Sequence, residues 1–212
     1  MRLKQDLFGT VDRVDHADGA SVVRRDARAA RGGLRWLARR LAMREARALR
    51  HLAGIDGVPR LRAATRDVVE RDWIDGEPMQ RARPRDPGYY REALRLLRSL
   101  HARNLVHNDL AKEPNWLVTP GGHPALVDFQ LAGLWRRRTR LFRLLAHDDL
   151  RHLLKHKRTY LAARLTARER RILATPSVIS RLWRGTGKRV YRFVTRRLLG
   201  WADREGAGDR TL

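Results

Sequence analysis

Between Leu94 and Phe129 the chain fixes three polar side chains in a set order within an apolar frame: Asp109, Asn115 and Asp128. Upstream, Leu94, Leu97, Leu100 and His101 recur on one side of a helix predicted over Tyr89–Ala102. Downstream, Trp116–Thr119 and Ala125–Asp128 read as strands around Pro120-Gly121-Gly122, whose paired glycines signal a hairpin turn. Taken singly, Asp109 is a helix cap, Asn115 a turn residue and Asp128 a strand end. Together they put two carboxylates and an amide on one helix–loop–hairpin unit, and the set in this context carries more weight than any member.

Phosphoryl transfer requires such a set. One carboxylate orients or deprotonates the attacking hydroxyl, while an amide and a second carboxylate hold Mg²⁺ on the nucleotide phosphates. The run Leu100–Leu110, with Val127-Asp128-Phe129, resembles the helix-to-catalytic-loop passage of the protein kinase-like superfamily. The protein-kinase pattern is H-R-D-L-x-x-x-N followed by D-F-G. His107, Asp109 and Leu110 match it. Asn108 replaces an arginine that normally meets a phosphorylated activation loop, so the resemblance implies no such switch. Asn115 follows Asp109 by six positions, one more than the pattern, and Pro114 is where the extra residue is accommodated. Gln130 replaces the glycine of D-F-G, which argues against a large swing of Phe129. No A-P-E element occurs. Asp149, or Asp148, is expected to brace the backbone near His107, as in RIO-type kinases; helix capping is the alternative reading.

The implied fold is α+β and bilobal: a protein kinase-like fold with a small β-rich N-lobe over residues 1–75 and a mostly helical C-lobe over 76–203. A full activation segment is lacking, and a flexible tail covers 204–212. In the N-lobe, Thr10–Asp15 and Ala20–Arg25 read as strands around Asp18-Gly19, and Leu34–Leu52 as a long helix. Leu61–Ala64 and Val68–Trp73 are further strands, and Asp75-Gly76-Glu77-Pro78 breaks the pattern at the exit between lobes. Helices are predicted over Leu141–Lys157, Ala167–Ala174 and Ser180–Asp203.

The same resemblance assigns a nucleotide site. Gly9-Thr10-Val11 is similar to the end of a glycine-rich loop, with Gly9 over phosphates and Val11 against the base; a simple turn at the start of a strand is the other reading. Kinases place a lysine on the third strand, paired with a helix glutamate. No lysine lies between positions 4 and 112, so Arg24 or Arg25 takes that place, Arg24 being preferred, with Glu45 as partner. Glu70–Ile74 is the hinge that meets adenine through its backbone. Lys112 either neutralises the transferred phosphoryl group or is a solvated loop charge. The implied assignment is Asp109 and Lys112 for catalysis, Asn115 and Asp128 for Mg²⁺, and Gly9, Val11, Arg24 and Glu45 for ATP.

Net charge is +24, nearly all of it from arginine, which attracts polyanions. The chain contains no cysteine and no apolar run of 18 residues, so disulfides are excluded and a cytoplasmic protein is expected. In Ser180–Asp203, Val190, Val194, Leu198 and Trp201 recur among arginines, and Trp135–Arg140 adds a second basic cluster. These suit peripheral binding at the anionic inner membrane, or simple packing on the C-lobe. Three functions follow. The favoured one is ATP-dependent transfer to serine or threonine hydroxyls of protein. The second is transfer to a Kdo or other core sugar of lipopolysaccharide, suggested by the likeness of Val23–Asp26 through Arg31-Gly32-Gly33-Leu34 to kinases of that sugar. The third is a pseudokinase holding an anionic partner, with nucleic acid not favoured.

Overall fold

The computed structural model describes residues 1–17 and 19–175. Its N-terminal part is an antiparallel sheet of β1 (Arg2–Asp6), β2 (Gly9–Asp15), β3 (Ser21–Asp26), β4 (Leu61–Ala64) and β5 (Val68–Asp72), in the spatial order β1-β2-β3-β5-β4. Helix α1 (Arg35–His51) connects β3 to β4. Ala38, Ala42 and Ala46 recur every fourth residue on its buried face, so the helix lies close against the sheet, with Ala42 and Ala46 packed on Val69. Glu45 shares that inward side and is 1% exposed.

Strand alternation decides which arginine of β3 faces inward. Val23 lies opposite Arg71 and Arg25 opposite Val69, and successive side chains point to opposite faces. Arg25 therefore faces α1, while Arg24 faces away and pairs with Glu70 at 3.7 Å.

The C-terminal part begins with β6 (Glu77–Pro78), α2 (Met79–Ala82) and α3 (Pro87–Ala102). It continues through β7 (Leu105–Val106), β8 (Trp116–Val118), β9 (Pro124–Leu126), β10 (Gly133–Leu134) and α4 (Arg140–Leu161). Asp86 caps α3 through the Gly88 N–H, ahead of a proline at the first turn. Arg138 donates to the carbonyls of His101 and Ala102 at the other end of α3. One member of the basic cluster at Trp135–Arg140 is thus occupied within the fold. Leu97, Leu100, Leu105, Leu110, Trp116, Leu126 and Phe129 form a fully buried core that also takes in Leu49 of α1, Leu52 just after it and Leu153 of α4. The end of α1 is thereby anchored in the helical part, where Arg103 donates to the carbonyls of His51 and Ala53.

The α+β architecture agrees with the sequence expectation, and the differences lie in individual elements, among them the short α2, β7 and β10. Strand β1 was not anticipated, because Arg2, Lys4 and Gln5 give it no apolar alternation. Glu77–Pro78, expected as a break, pairs with Leu117–Val118. Gly76 permits this, since a Cβ there would lie 2.9 Å from the Val118 carbonyl oxygen. Helix α4 continues past Lys157 to Leu161. The chain divides after Leu165. In the second unit, helix α5 (Ala167–Ala174) opens with a capping box between Thr166 and Glu169. The predicted helix Ser180–Asp203 and the tail 204–212 lie outside the described residues.

Gly9 has φ +119°, and a Cβ there would sit 2.1 Å from the Asp26 carbonyl oxygen. The position demands glycine because β2 meets the end of β3. Gly9→Ala is expected to lower stability by about 1–3 kcal/mol in urea denaturation.

Candidate active site

The loop after β7 is held in place by its backbone. Asn108 adopts φ +65°, a left-handed conformation that asparagine tolerates better than most residues. The N–H groups of His107 and Asn108 both donate to the Asp149 carboxylate, at 2.8 and 3.0 Å. His101 adds a third bond to it at 3.3 Å. Asp149, 2% exposed and midway along α4, is the brace. Asp148 instead faces His152 at 3.5 Å, and the N-cap of α4 is Thr139. His107 is fully buried, donates from Nε2 to the Val127 carbonyl at 3.1 Å and lies against the Phe129 ring. It supports the loop rather than meeting solvent.

The same face of α4 makes two contacts that sequence reasoning missed. His156 donates from Nε2 to the Leu110 carbonyl at 2.8 Å, and Tyr160 donates its hydroxyl to Glu113 at 2.7 Å. Asp149, Leu153, His156 and Tyr160 follow one helical stripe. Polar residues recurring on an otherwise leucine-rich stripe were the available signal. Burial holds the His156 pKa below its ordinary value, keeping the ring neutral at pH 7. Glu113 and Pro114 form a short 3₁₀ turn ending at Asn115, and this turn absorbs the extra loop residue.

Within this frame Asp109 and Asn115 meet. Asn115 Nδ2 donates to the Asp109 backbone carbonyl at 2.8 Å and to its Oδ2 at 3.2 Å. Lys112 Nζ lies 3.0 Å from the same Oδ2. The Asn115 carbonyl accepts from the Val127 N–H at 3.1 Å, which brings the end of the β8–β9 hairpin to the loop. Asp128 follows at φ +63°. Its Oδ1 is buried and has no hydrogen-bond partner. A buried carboxylate oxygen without a hydrogen-bond donor, one residue after the backbone link between Val127 and Asn115, fits a hard cation such as Mg²⁺. That ion binds through one or two carboxylates and relies on substrate phosphates and water for the rest. Among the described residues no cluster of three or more His, Asp or Glu forms a self-sufficient metal cage.

Behind Asp128 stands a buried charge cluster. Glu45 accepts from Arg25 Nε on one carboxylate oxygen and from Arg71 Nε on the other, each at 3.1 Å. Arg25 Nη2 lies 3.7 Å from Asp128 Oδ1. Arg25, and not the preferred Arg24, is therefore the strand cation that meets Glu45, for the alternation reason given above. Arg71, in the segment assigned to the hinge, was missed; its side chain is 11% exposed and faces Glu45. Arg44, next to Glu45, donates to the carbonyls of Ala132 and Leu131 at 2.6 and 3.1 Å, and Asn108 Nδ2 donates to Leu131 as well, at 3.0 Å. Helix α1 and the loop are thus each bonded directly to the turn after Asp128. Val11 lies opposite Arg25 across β2–β3, so the two side chains share a face. Gly9 sits at the β1–β2 hairpin, where its close approach to Asp26 accounts for the glycine.

A five-stranded sheet with one helix, a helical part, and a loop and hairpin presenting Asp, Asn and Asp between them define a protein kinase-like domain. A model of the RIO domain matches residues 11–173, and the chain belongs to the RIO domain family. It is similar in fold to the crystal structure of the Rio2 kinase from Chaetomium thermophilum, with a TM-score of 0.56 at 17% sequence identity. The match covers 77% of this chain and 58% of that one, so this chain spans well under two thirds of that kinase's length. A search of curated protein sequences returned no match. Among the described residues no helix is long and apolar enough to cross a membrane.

Asp149 satisfies two loop N–H groups, and leaving buried donors unpaired costs about 1–3 kcal/mol each. Asp149→Ala is therefore expected to destabilise the domain by about 2–5 kcal/mol in chemical denaturation. Asp148→Ala, which leaves the two bonds from Asp149 to the loop in place, is expected to destabilise the domain less than Asp149→Ala.

Proposed function

We propose that this domain is an ATP- and Mg²⁺-dependent phosphotransferase acting on hydroxyl groups, with serine and threonine of protein as the favoured acceptors. The observation that carries the reading is the hydrogen bond between Asn115 and Asp109 in the loop, beside a hairpin that ends at Asp128, whose buried Oδ1 has no hydrogen-bond donor and faces Arg25 of the Arg25–Glu45 pair. RIO family membership and the fold shared with a protein described as a kinase support it.

The residues divide the work as follows. Asn115 and Lys112 hold one oxygen of the Asp109 carboxylate, which fixes its plane. The other oxygen is left to accept the hydrogen bond of an incoming hydroxyl and draw its proton as the bond to phosphorus forms. Asp128 and the side-chain oxygen of Asn115 would hold Mg²⁺, which when bound neutralises charge on the nucleotide phosphates. Arg25, positioned by Glu45, supplies positive charge to phosphate oxygens, and Val11 offers an apolar surface on the same face. Lys112 is close enough to Asp109 to serve the transferred group as well. With little covalent chemistry for the protein to perform, positioning and electrostatics account for the catalysis.

Transfer of labelled γ-phosphate over a cell extract separated into protein and lipopolysaccharide fractions tests this reading. Label is expected in serine and threonine of the protein fraction, dependent on Mg²⁺. Asp109→Ala should reduce the rate by about 10²–10⁴-fold while ATP still binds. Label confined to the glycolipid fraction would move the acceptor to a sugar hydroxyl. Full activity in Asp109→Ala would remove that residue from its role.

A further inference from the structure

Two departures from the kinase pattern touch each other. Arg25 stands where a lysine is usual, and Gln130 stands where the glycine of D-F-G is usual. With its amide oxygen turned to the guanidinium, Gln130 accepts from Arg25 Nη1 at 2.6 Å and from Nε at 3.1 Å. The reverse orientation would set amide N–H groups against those of a cation. Glu45 shares the same Nε–H at 3.1 Å. Only Nη2 remains directed at Asp128, 3.7 Å away, beyond a hydrogen bond.

The arrangement solves a problem that lysine does not pose. An ammonium is a compact point charge on a flexible stem, whereas a guanidinium is a planar fork that binds carboxylates through two parallel bonds. An arginine set beside Asp128 can close its Nη1–Nη2 edge on that carboxylate and deny it to a metal ion. Gln130 and Glu45 hold the guanidinium with Nη2 3.7 Å from Asp128, a placement in which that edge is kept off the carboxylate. Glycine has no side chain with which to do this.

We infer that Gln130 is a positioning residue for Arg25, fixing the guanidinium plane so that Nη2 is presented to a nucleotide phosphate and Asp128 is kept open for the cation. Arg25 and Gln130 then form a matched replacement for lysine and glycine, and neither is fully exchangeable alone. This rests on the phosphotransferase reading above.

The test is a double-mutant cycle on Mg-ATP binding, measured by titration calorimetry on the full chain, with melting temperatures recorded in parallel. The variants are Arg25→Lys, Gln130→Leu and the pair. Leucine keeps the backbone stiff and removes only the acceptor. Gln130→Leu is expected to weaken Mg-ATP binding about fivefold or more beside Arg25, and to change it by less than about twofold once position 25 is lysine. Arg25→Lys combined with Gln130→Gly should bind more tightly than Arg25→Lys alone. Equal losses from Gln130→Leu in both backgrounds, or none in either, would overturn the pairing while leaving the phosphotransferase reading intact. Wild type that binds no Mg-nucleotide would overturn both.

Discussion

The buried carboxylate of Glu45 is the interaction on which the site depends. A carboxylate with 1% exposure is tolerable only when both oxygens are paired and bonded, because desolvating the charge costs several kcal/mol. Arg25 on β3 and Arg71 on β5 meet that demand together. The two guanidinium groups leave the cluster one positive charge in excess, and Asp128 is the nearby carboxylate that balances it. One buried side chain therefore fixes the rotation of α1, the inward side chains of two strands and the charge in front of Asp128. Its neighbour Arg44 extends the same helix to the carbonyls of Leu131 and Ala132. Helix α1 cannot turn away without breaking bonds to both the sheet and the turn after Asp128.

The loop from His107 to Asn115 is supported from the opposite direction. Helix α4 offers a carboxylate to the N–H groups of His107 and Asn108, an imidazole to the Leu110 carbonyl and a phenol to Glu113. These three supports lie before, beside and after Asp109. Asn108 adds a link to the Leu131 carbonyl, which Arg44 also reaches. A kinase that carries arginine at this position can use it to gather a phosphorylated activation loop. Here an uncharged amide and a helix arginine converge on a backbone carbonyl instead.

Much of this was legible in the sequence, because the informative residues are close together and their periodicity is clear. The loop from His107 to Asn115 and the hairpin to Asp128 followed from motif and spacing, while Glu45 as partner of a strand arginine and a brace at Asp149 or Asp148 came with the resemblance to kinases. The choice between Arg24 and Arg25 did not, since both neighbours are arginine and only the strand register shows which faces α1. Arg71 was hidden for a related reason: in a chain of such arginine content, one more arginine on a strand carries no signal until Glu45 is seen to need a second partner. His156 and Tyr160 lie more than 40 residues from the loop they hold, so only their helical spacing with Asp149 could have pointed to them. Strand β1 has no hydrophobic pattern and exists through its pairing with β2.

The central claim is that Asp109, Asn115, Asp128 and Arg25 form a nucleotide–metal site. Calorimetric titration with a non-hydrolysable ATP analogue, with Mg²⁺ and with excess chelator, on wild type and Asp128→Asn, addresses it most directly. Binding in wild type should tighten by about tenfold or more with Mg²⁺, and Asp128→Asn should lose that gain while retaining the metal-free affinity. Equal affinity with and without Mg²⁺ in wild type, or an unchanged Mg²⁺ effect in Asp128→Asn, would contradict the account.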